Sequence, residues 1–240
     1  MRDQIYAAPL PEVSGFAFDE AVARVFPDMI RRSVPGYTTI IPMIELITAR
    51  YARAGTRLYD LGCSLGASTL AMRHGVKQRD CQLIGVDNSE AMLSQCRAYV
   101  EADSASAPVE LVLGDIRDQV IDNASVVTLN FTLQFLPPQD RQPLLQTIFD
   151  GLQPGGVLIL SEKICFNEPE QSIQEVLHHD FKRANGYSDL EISQKRTSLE
   201  NVLITESIEA HQQRLKAVGF SQALVWYQCF NFVSMLAVKV

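Results

Sequence analysis

Short apolar segments alternate with longer amphipathic segments through the middle of the chain. Each short segment is apolar at most positions, which is typical of strands buried on both faces of a parallel sheet. The longer segments repeat apolar residues at helical spacing, as helices that cover such a sheet do. This alternation predicts an α/β protein with a doubly wound sheet. The predicted strands are residues 56–61, 82–86, 109–113, 125–129 and 157–160.

Two further apolar segments, residues 222–228 and 232–238, predict a β-hairpin at the edge of this sheet. One of them would run antiparallel to its neighbours, so the prediction is a mostly parallel seven-stranded sheet with an antiparallel last strand. Residues 164–204 are too long for a simple crossover and too polar for a strand, which predicts a helical insertion after the fifth strand. Thr205 can cap a last helix that ends near residue 218. No domain boundary is evident, and residues 1–240 are predicted to form one domain.

The first 55 residues predict helices that precede the sheet. Asp19 can cap a helix with an apolar face, and Pro27 should kink that helix or split it in two. A turn at residues 33–36 leads to Tyr37 and a second helix with isoleucines at helical spacing. These helices could lie across the mouth of a site as a lid or simply pack on the sheet. The pattern alone leaves both possibilities open.

A glycine-bearing turn, YDLGCSLG at residues 59–66, joins the first strand to its helix. Gly62 lets the backbone turn tightly, and the first amides of a helix can donate to a ligand. The spacing fits neither the G-x-G-x-x-G cradle of dinucleotides nor a P-loop. Asp60, two residues before Gly62, would repel phosphates and attract an ammonium group. The turn therefore favours a ligand with an amino-acid end, such as S-adenosylmethionine, although an ordinary strand–helix turn could carry the same residues.

Polar residues stand at the ends of four successive predicted strands: Asp60, Asp87, Asp115 and Asn130. Ligands of such sheets bind beyond the carboxyl ends of the strands, where an acid after the second strand commonly accepts from ribose hydroxyls. Asp115 can accept from the adenine amine, and Ile116 can pack on the ring. Asn130 lies where the reacting group is expected. This order is typical of a class I methyltransferase, a Rossmann-like fold that binds S-adenosylmethionine.

Composition narrows the class of protein further. A formal net charge of −7 argues against direct nucleic-acid binding, which needs a basic face. The five cysteines are scattered without a C-x-x-C pair, which favours reduced thiols in a cytoplasmic protein over disulfides or a zinc site. The sequence begins without a signal-like pattern, and no apolar run approaches the roughly 18 residues of a membrane span. We therefore expect a cytoplasmic enzyme without a metal and without a membrane partner.

Several longer motifs resemble the carboxy-S-adenosyl-L-methionine synthases over nearly the whole chain. The resemblance implies an enzyme that takes a carboxyl group from prephenate, releases phenylpyruvate and leaves the carboxylate on the sulfonium methyl group. The product would feed a second enzyme that makes 5-oxyacetyl uridine at the tRNA wobble position. The resemblance also implies a homodimer, in which Arg196 could reach the site of the partner. The motifs are FPDMIRRSVPGY (26–37), YDLGCSLG (59–66), NFTLQFL (130–136), HHDFKRANGY (178–187) and ISQKR (192–196).

The same resemblance assigns candidate site residues. Arg196 would bind the carboxylate, and Arg196 and Tyr37 are the candidate catalytic residues. An arginine beside a sulfonium would repel the bare substrate, so it is useful only when an anion lies between the two. The residues implied to contact S-adenosyl-L-methionine or its carboxylated product are Tyr37, Gly62, Cys63, Ser64, Asp87, Asn88, Asp115, Ile116, Asn130 and Arg196.

Three functions remain open from the sequence: the carboxyl-transferring synthase, a methyltransferase of a small molecule or tRNA, and a protein that binds the cofactor without catalysis. His178 and His179 could suggest a metal, but adjacent residues on a helix point about 100° apart and cannot easily share an ion. A contact with prephenate or a place on the helix surface is the preferred interpretation. Basic residues nearby could bind RNA or line a solvated face, but a pocket for the prephenate dianion fits the acidic total better. These basic residues are Lys182, Arg183, Lys195 and Arg196.

Overall fold

One mixed β-sheet forms the centre of the protein. The strands are β1 (Arg57–Leu61), β2 (Gln82–Asp87), β3 (Val109–Leu113), β4 (Ala124–Asn130), β5 (Leu152–Lys163), β6 (Gln222–Cys229) and β7 (Phe232–Val238). In the computed structural model, which describes residues 1–77 and 80–240, these seven strands have the order β3-β2-β1-β4-β5-β7-β6. The first five pair in parallel, whereas β7 is antiparallel to both β5 and β6. The predicted fold class, with its antiparallel last strand, is confirmed.

Eight helices of the described residues cover this sheet and its upper edge. They are α1 (Glu20–Ser33), α2 (Tyr37–Tyr51), α3 (Ala67–Gly75), α4 (Glu90–Ala102), α5 (Pro138–Gly151), α6 (Glu170–Ala184), α7 (Asp189–Leu199) and α8 (Ile208–Ala217). Helices α6 and α7 occupy the segment predicted as a helical insertion. Over the residues that the structure describes, no helix combines the length and apolar character needed to cross a membrane.

Alternation along the central strands divides the core into two layers. Leu58 of β1 belongs to a cluster with residues of α2 and α3, whereas its neighbour Tyr59 belongs to a cluster with residues of α5 and α8. Successive strand residues point to opposite faces, so a strand covered by helices on both sides must be apolar at nearly every position. This is why the strands are continuous apolar runs, and it leaves polar side chains for the strand ends.

Several predictions of where elements begin or end differ from the structure, mostly by one residue at strand ends, and three points are larger. Of the two outcomes predicted for Pro27, a kink or a split, the split is wrong, because α1 continues through Pro27 with Asp19 as its cap and a buried apolar face on both sides of the proline. Strand β5 begins at Leu152 rather than residue 157, because its pairing with β4 shifts register between Leu152 and Val157, where β5 carries the proline and glycines that were expected to precede the strand. The last helix is capped by Ser207 rather than Thr205, since Glu206 still pairs with Ile164 in an isolated bridge.

Candidate active site

A cavity of about 740 Å³ lies beyond the carboxyl ends of β1, β2, β3 and β4. The strand-end loops form part of its lining, and α1, α6, α7 and the short turn Leu133–Phe135 supply residues to the rest. Nine of the ten residues predicted to contact S-adenosylmethionine or its product line this cavity. They are Tyr37, Gly62, Cys63, Ser64, Asp87, Asn88, Asp115, Ile116 and Asn130.

The turn after β1 is held against the end of β2. The backbone N–H groups of Gly62 and Cys63 donate to the Val86 carbonyl at 2.8 and 3.0 Å. Gly62 has a φ of 80°, and a Cβ there would overlap the Thr132 side chain. Glycine is therefore required by both the backbone conformation and the close approach of Thr132.

Asp87 connects this turn to the start of α4. Its carboxylate accepts from the backbone N–H of Ser64 at 2.8 Å and from that of Ser89 at 2.9 Å. Burial raises its pKa, while these backbone donors act in the opposite direction. A carboxylate has about four lone-pair sites, so two backbone donors leave acceptor capacity for hydroxyl groups of a ligand. Asn88 follows it on the cavity wall.

Asp60 does not line the cavity, unlike the other acids at the strand ends. Its side chain is buried, and it accepts from the Thr69 hydroxyl at 2.6 Å and the Thr128 hydroxyl at 2.8 Å. Burial raises the pKa of this carboxyl to about 6. Asp60 therefore ties β1 to α3 and β4, and the hypothesis of direct contact with a ligand ammonium group does not fit its position.

Asp115 carries an ion pair that the sequence did not predict. Arg117 donates to it through Nε at 3.0 Å and Nη2 at 2.6 Å, and reaches Asp140 through Nη1 at 2.6 Å. The guanidinium holds the pKa of the Asp115 carboxyl below its usual value. Asp115 is thus a charged acceptor, and the buried Ile116 follows it on the same wall.

Asn130 and Tyr37 lie at the inner part of the cavity. The Asn130 amide nitrogen donates to the Ser68 hydroxyl at 3.0 Å, while its oxygen is buried without a partner among the described residues. The Tyr37 ring centroid is 6.5 Å from that of Phe131, and burial raises the pKa of the Tyr37 hydroxyl. Asn130 therefore offers a free acceptor next to an aromatic wall.

Three lysines bring positive charge to the same cavity: Lys163 at the end of β5, Lys182 on α6 and Lys195 on α7. Within residues 1–77 and 80–240, none of their ammonium groups has a carboxylate oxygen within 4.0 Å. Burial lowers the pKa of all three, to about 7 for Lys182 and about 8 for Lys195. Unpaired buried cations are costly, so this arrangement suits an anionic ligand.

The sequence identified Lys182 and Lys195 but missed Lys163. Lys163 is the last residue of β5, directly after the charged Glu162, and only the register of β5 against β4 places it beside the cavity. The only available signal was that charged residues come shortly after a predicted strand. Arg31 on α1 also lines the cavity and was not singled out, because nothing in the sequence fixes how α1 crosses the sheet.

His178 forms a neutral part of the wall. Its Nε2 lies 2.8 Å from the Ser33 carbonyl oxygen, to which it can donate as a neutral ring. Burial, with nearby lysines, lowers its pKa to about 2. In the part of the chain that the structure describes, no group of three His, Cys, Asp or Glu side chains is placed to hold a metal ion.

Arg196 lies outside the cavity of its own chain. Its side chain is 67% exposed, and Nη2 is 3.8 Å from the Glu175 carboxylate. Arg183 also points away from the cavity, where it pairs with Asp180 and Asp189. Of the four basic residues noted in the sequence, Lys182 and Lys195 line the cavity and the two arginines do not.

Known proteins resemble the chain both in sequence and in fold. The methyltransferase domain family matches residues 58–156. A carboxy-S-adenosyl-L-methionine synthase of Marinobacter nauticus is 65% identical, over 100% of this chain and 96% of that protein. The synthase of the same name from Geobacter sp. strain M21 is 58% identical, over 99% and 98%. The magnesium protoporphyrin IX methyltransferase of Synechocystis PCC 6803 with bound SAH is 13% identical with a TM-score of 0.62, covering 88% of this chain and 87% of that one.

Proposed function

Because the chain belongs to the family of carboxy-S-adenosyl-L-methionine synthases, we propose that prephenate supplies the carboxyl group which this enzyme attaches to S-adenosyl-L-methionine. Phenylpyruvate is the second product, and carboxy-S-adenosyl-L-methionine supplies the group for 5-oxyacetyl uridine at the tRNA wobble position. The observation that carries the proposal is the division of one cavity into an acidic strand-end wall and a wall of three lysines, of which Lys182 and Lys195 are buried.

The strand-end wall suits the sulfonium substrate. In the proposed arrangement Asp87 accepts from the ribose hydroxyls, and Asp115 accepts from the adenine amine while Ile116 covers the ring face. The turn Gly62–Ser64 follows the amino-acid end of the substrate, and the unpartnered oxygen of Asn130 accepts from it. Three acceptors on successive strand ends, Asp87, Asp115 and Asn130, match a ligand that carries donors along its whole length.

The lysine wall suits prephenate, which carries two carboxylates. A dianion placed between Lys163, Lys182 and Lys195 would supply the carboxylate partners that these ammonium groups lack among the described residues. A methyltransferase with a neutral acceptor would have no use for three lysines beside a positively charged sulfonium. The charge distribution therefore favours the carboxyl-transfer reaction over simple methyl transfer.

The chemistry joins the two walls. A sulfonium makes the hydrogens of its methyl group acidic, so loss of one proton gives an ylide whose carbon is nucleophilic. Decarboxylation of prephenate releases carbon dioxide in the same cavity, where water cannot compete for it. The ylide carbon attacks the carbon dioxide, and the new carboxylate needs a cationic partner such as the guanidinium of Arg196.

The position of Arg196 supports a homodimer in which this side chain completes the site of the partner subunit. Three apolar residues of α6 at helical spacing, Ile173, Val176 and Leu177, are exposed, the first two at 57%. Glu175 and Arg196 lie beside this apolar strip. Exposed apolar clusters rimmed by charge are typical of subunit interfaces. We expect sedimentation to give twice the mass of one chain at micromolar concentration.

Incubation with S-adenosyl-L-methionine and prephenate tests the proposal directly. We expect mass spectrometry to find the sulfonium nucleoside heavier by one carboxyl group, together with an equal amount of phenylpyruvate. Conversion of prephenate without gain of a carboxyl group would contradict the proposal. Appearance of S-adenosylhomocysteine with a methylated acceptor would support the alternative, a methyltransferase.

A further inference from the structure

We propose that Lys182 is the proton carrier of this reaction: its ammonium group protonates the hydroxyl group that leaves prephenate, and the resulting amine removes a proton from the sulfonium methyl group. The inference rests on the proposed function, since it assigns a residue to two proton transfers within that reaction. It is carried by the position of Lys182 in the cavity and by the charged groups around it.

Lys182 is buried, at 8% exposure, and lines the cavity one helical turn after His178. Among the described residues, its ammonium group has neither a hydrogen-bond acceptor nor a carboxylate within salt-bridge distance. The residue contributes to the cavity surface, and its Nζ is not among the fully buried side-chain atoms that lack a hydrogen-bond partner in the described part of the chain. Lys182 therefore has its donors available to a ligand and to nothing else nearby.

The three lysines of the cavity differ in their charged neighbours. Asp3 favours the charged form of Lys195, and Glu175 does the same for Lys163. The charged groups that act on Lys182 are Lys195, Lys163 and Arg196, all of them cations. Lys182 is the one of these three on which only cations act, since an acid partly offsets the effect of Arg196 on Lys163 and of Arg32 on Lys195. We therefore assign proton transfer to Lys182 and the binding of carboxylates to Lys163 and Lys195.

The pKa of Lys182 fits both halves of a proton relay. Burial and the neighbouring cations lower it to about 7, so the ammonium and amine forms are both accessible near neutral pH. A general acid or base is most effective when its pKa lies close to the working pH. An ordinary lysine, with a pKa of about 10.4, would be a weak acid and would stay protonated.

Other titratable groups of the cavity are less suited to the task. His178 is neutral, and its pKa of about 2 makes it a very weak base. The Tyr37 hydroxyl has a raised pKa and would have to ionise against its apolar surroundings. Asp87 already accepts two backbone hydrogen bonds that fix the turn after β1. Lys182 is the residue of this set that can both give and take a proton.

Aromatic contacts connect Lys182 to Tyr37, which lies with Asn130 at the inner part of the cavity where the reacting group is expected. The ring centroid of Tyr37 lies 6.5 Å from that of Phe131, which lies 6.0 Å from that of Phe232. Phe232 in turn lies 4.9 Å from the ring of His178, the residue one turn before Lys182. A row of rings thus runs along the cavity wall from Tyr37 to His178, one helical turn before Lys182.

The proton count balances without a further reactant. When the ring carboxylate of prephenate leaves as carbon dioxide, its bonding electrons make the ring aromatic and the C–O bond to the ring hydroxyl breaks. Lys182 protonates this hydroxide to water. The amine of Lys182 then takes a methyl proton, and the carbon lone pair that remains forms the C–C bond to carbon dioxide. Lys182 is again an ammonium group, and water leaves with phenylpyruvate.

Replacing Lys182 by arginine separates charge from proton transfer. Arginine keeps the positive charge but does not lose its proton in proteins. We expect Lys182→Arg to bind prephenate within about threefold of the wild type and to lose turnover by about 100-fold or more, as is usual for general acid–base groups. The turnover of Lys195→Arg should be at least about tenfold higher than that of Lys182→Arg. Lys216→Arg, at an exposed position, serves as a control.

Chemical rescue of Lys182→Ala gives a second, independent readout. Methylamine or ethylamine can occupy the space of the missing side chain and exchange protons, whereas tetramethylammonium supplies only charge. We expect primary amines to restore carboxylation at least about tenfold and tetramethylammonium to restore none. Circular dichroism and S-adenosyl-L-methionine binding would establish that each variant folds.

Three results would overturn the proton relay: Lys182→Arg with more than a tenth of wild-type turnover, loss of prephenate binding in parallel with turnover, or equal rescue by tetramethylammonium. Each of them requires a wild-type enzyme that carboxylates S-adenosyl-L-methionine. A wild type that does not do so contradicts the proposed function instead, so the two failures are distinguishable.

Discussion

The backbone N–H of Ser64 donates to the Asp87 carboxylate at 2.8 Å, which ties the glycine turn after β1 to the end of β2. One carboxylate thus shapes two sides of the proposed S-adenosyl-L-methionine site. It orders the turn that is expected to hold the amino-acid end, and it remains an acceptor for ribose hydroxyls.

Replacing Asp87 by asparagine should weaken S-adenosyl-L-methionine binding by about 10- to 100-fold, since hydrogen bonds to charged groups contribute about 1.5–3 kcal/mol. The amide keeps only one acceptor oxygen, so either a backbone N–H or a ligand hydroxyl loses its partner. Isothermal titration would measure the dissociation constant. Asp150→Asn, at the exposed end of α5, is the matched control. An unchanged dissociation constant for Asp87→Asn would place the ribose elsewhere.

Gly62→Ala and Gly55→Ala form a matched pair that separates backbone strain from close packing. Both glycines have a positive φ, 80° and 73°. A Cβ at position 62 would overlap Thr132, whereas one at position 55 would meet nothing within 4 Å. We expect the backbone conformation to cost about 1–3 kcal/mol in each variant. Loss of substrate binding should occur only in Gly62→Ala, and equal binding by both variants would show that the Thr132 contact is unimportant.

The strand-end residues could be predicted because parallel strands bring their carboxyl ends to one edge of a sheet. Asp87, Asp115 and Asn130 needed only the alternation of strands and helices to be placed together. Asp60 was misjudged because it precedes the end of β1 by one residue. Asp60 is two residues after Leu58 and therefore faces the same side of the sheet, where Leu58 packs towards α2 and α3. The Asp60 carboxylate consequently faces Thr69 on α3. Alternation along β1 would have identified this orientation.

The lysine wall could be predicted only in part because it depends on tertiary packing. Lys163 comes from a strand, Lys182 and Lys195 come from separate helices, and no local pattern fixes how these helices cross the strand ends. The N-terminal residues add contacts of the same kind: the Gln194 amide nitrogen on α7 donates to the carbonyls of Tyr6 and Ala8. Such long-range contacts leave no periodicity in the sequence.

Replacing Arg196 by alanine should abolish carboxylation and leave S-adenosyl-L-methionine binding within about threefold of the wild type. The guanidinium is expected to act on the new carboxylate, which exists only late in the reaction, and loss of such a group commonly costs about 100- to 1,000-fold. Arg183→Ala is the control, because Arg183 pairs with Asp180 and Asp189 outside the cavity. Full turnover by Arg196→Ala would contradict the assigned role.

Mixed dimers would determine whether Arg196 acts across the subunit interface. Equal amounts of Arg196→Ala and Asp87→Asn chains are combined and assayed at a low concentration of S-adenosyl-L-methionine. If Arg196 serves the partner subunit, half of the dimers contain one complete site, and about a quarter of wild-type turnover returns. If Arg196 serves its own chain, mixing restores nothing.

The buried network beneath the cavity should make stability depend on pH in two opposite ways. Burial raises the pKa of Glu162 to about 8, whereas Arg214 and Arg141 hold the pKa of Glu206 below its usual value. Glu162 accepts from the Leu133 backbone N–H at 3.1 Å, and Glu206 pairs with both arginines. The two carboxyl groups therefore respond to pH with opposite signs within one network.

Between pH values of about 4.3 and 8, the Glu162 carboxyl is protonated in the folded protein and ionised in the unfolded chain. Its contribution to the free energy of unfolding is therefore full below about 4.3, falls as pH rises and is lost above about 8. Glu162→Gln should remove this fall, so that the variant gains stability relative to the wild type between pH 5 and 8. Urea unfolding at several pH values would measure the difference.

Glu206→Gln is the matched comparison, because a lowered pKa contributes stability that is present at neutral pH and lost as pH falls through the folded-state value. This variant should be less stable than the wild type at pH 7, and the difference should shrink in acid. Glu206→Gln also leaves the fully buried Arg141 without its carboxylate partner, which adds to the loss. If the stability of both variants relative to the wild type changes with pH in the same direction, Glu162 is ionised in the folded protein at neutral pH. The assignment of Glu162 as a buried neutral acid would then be wrong.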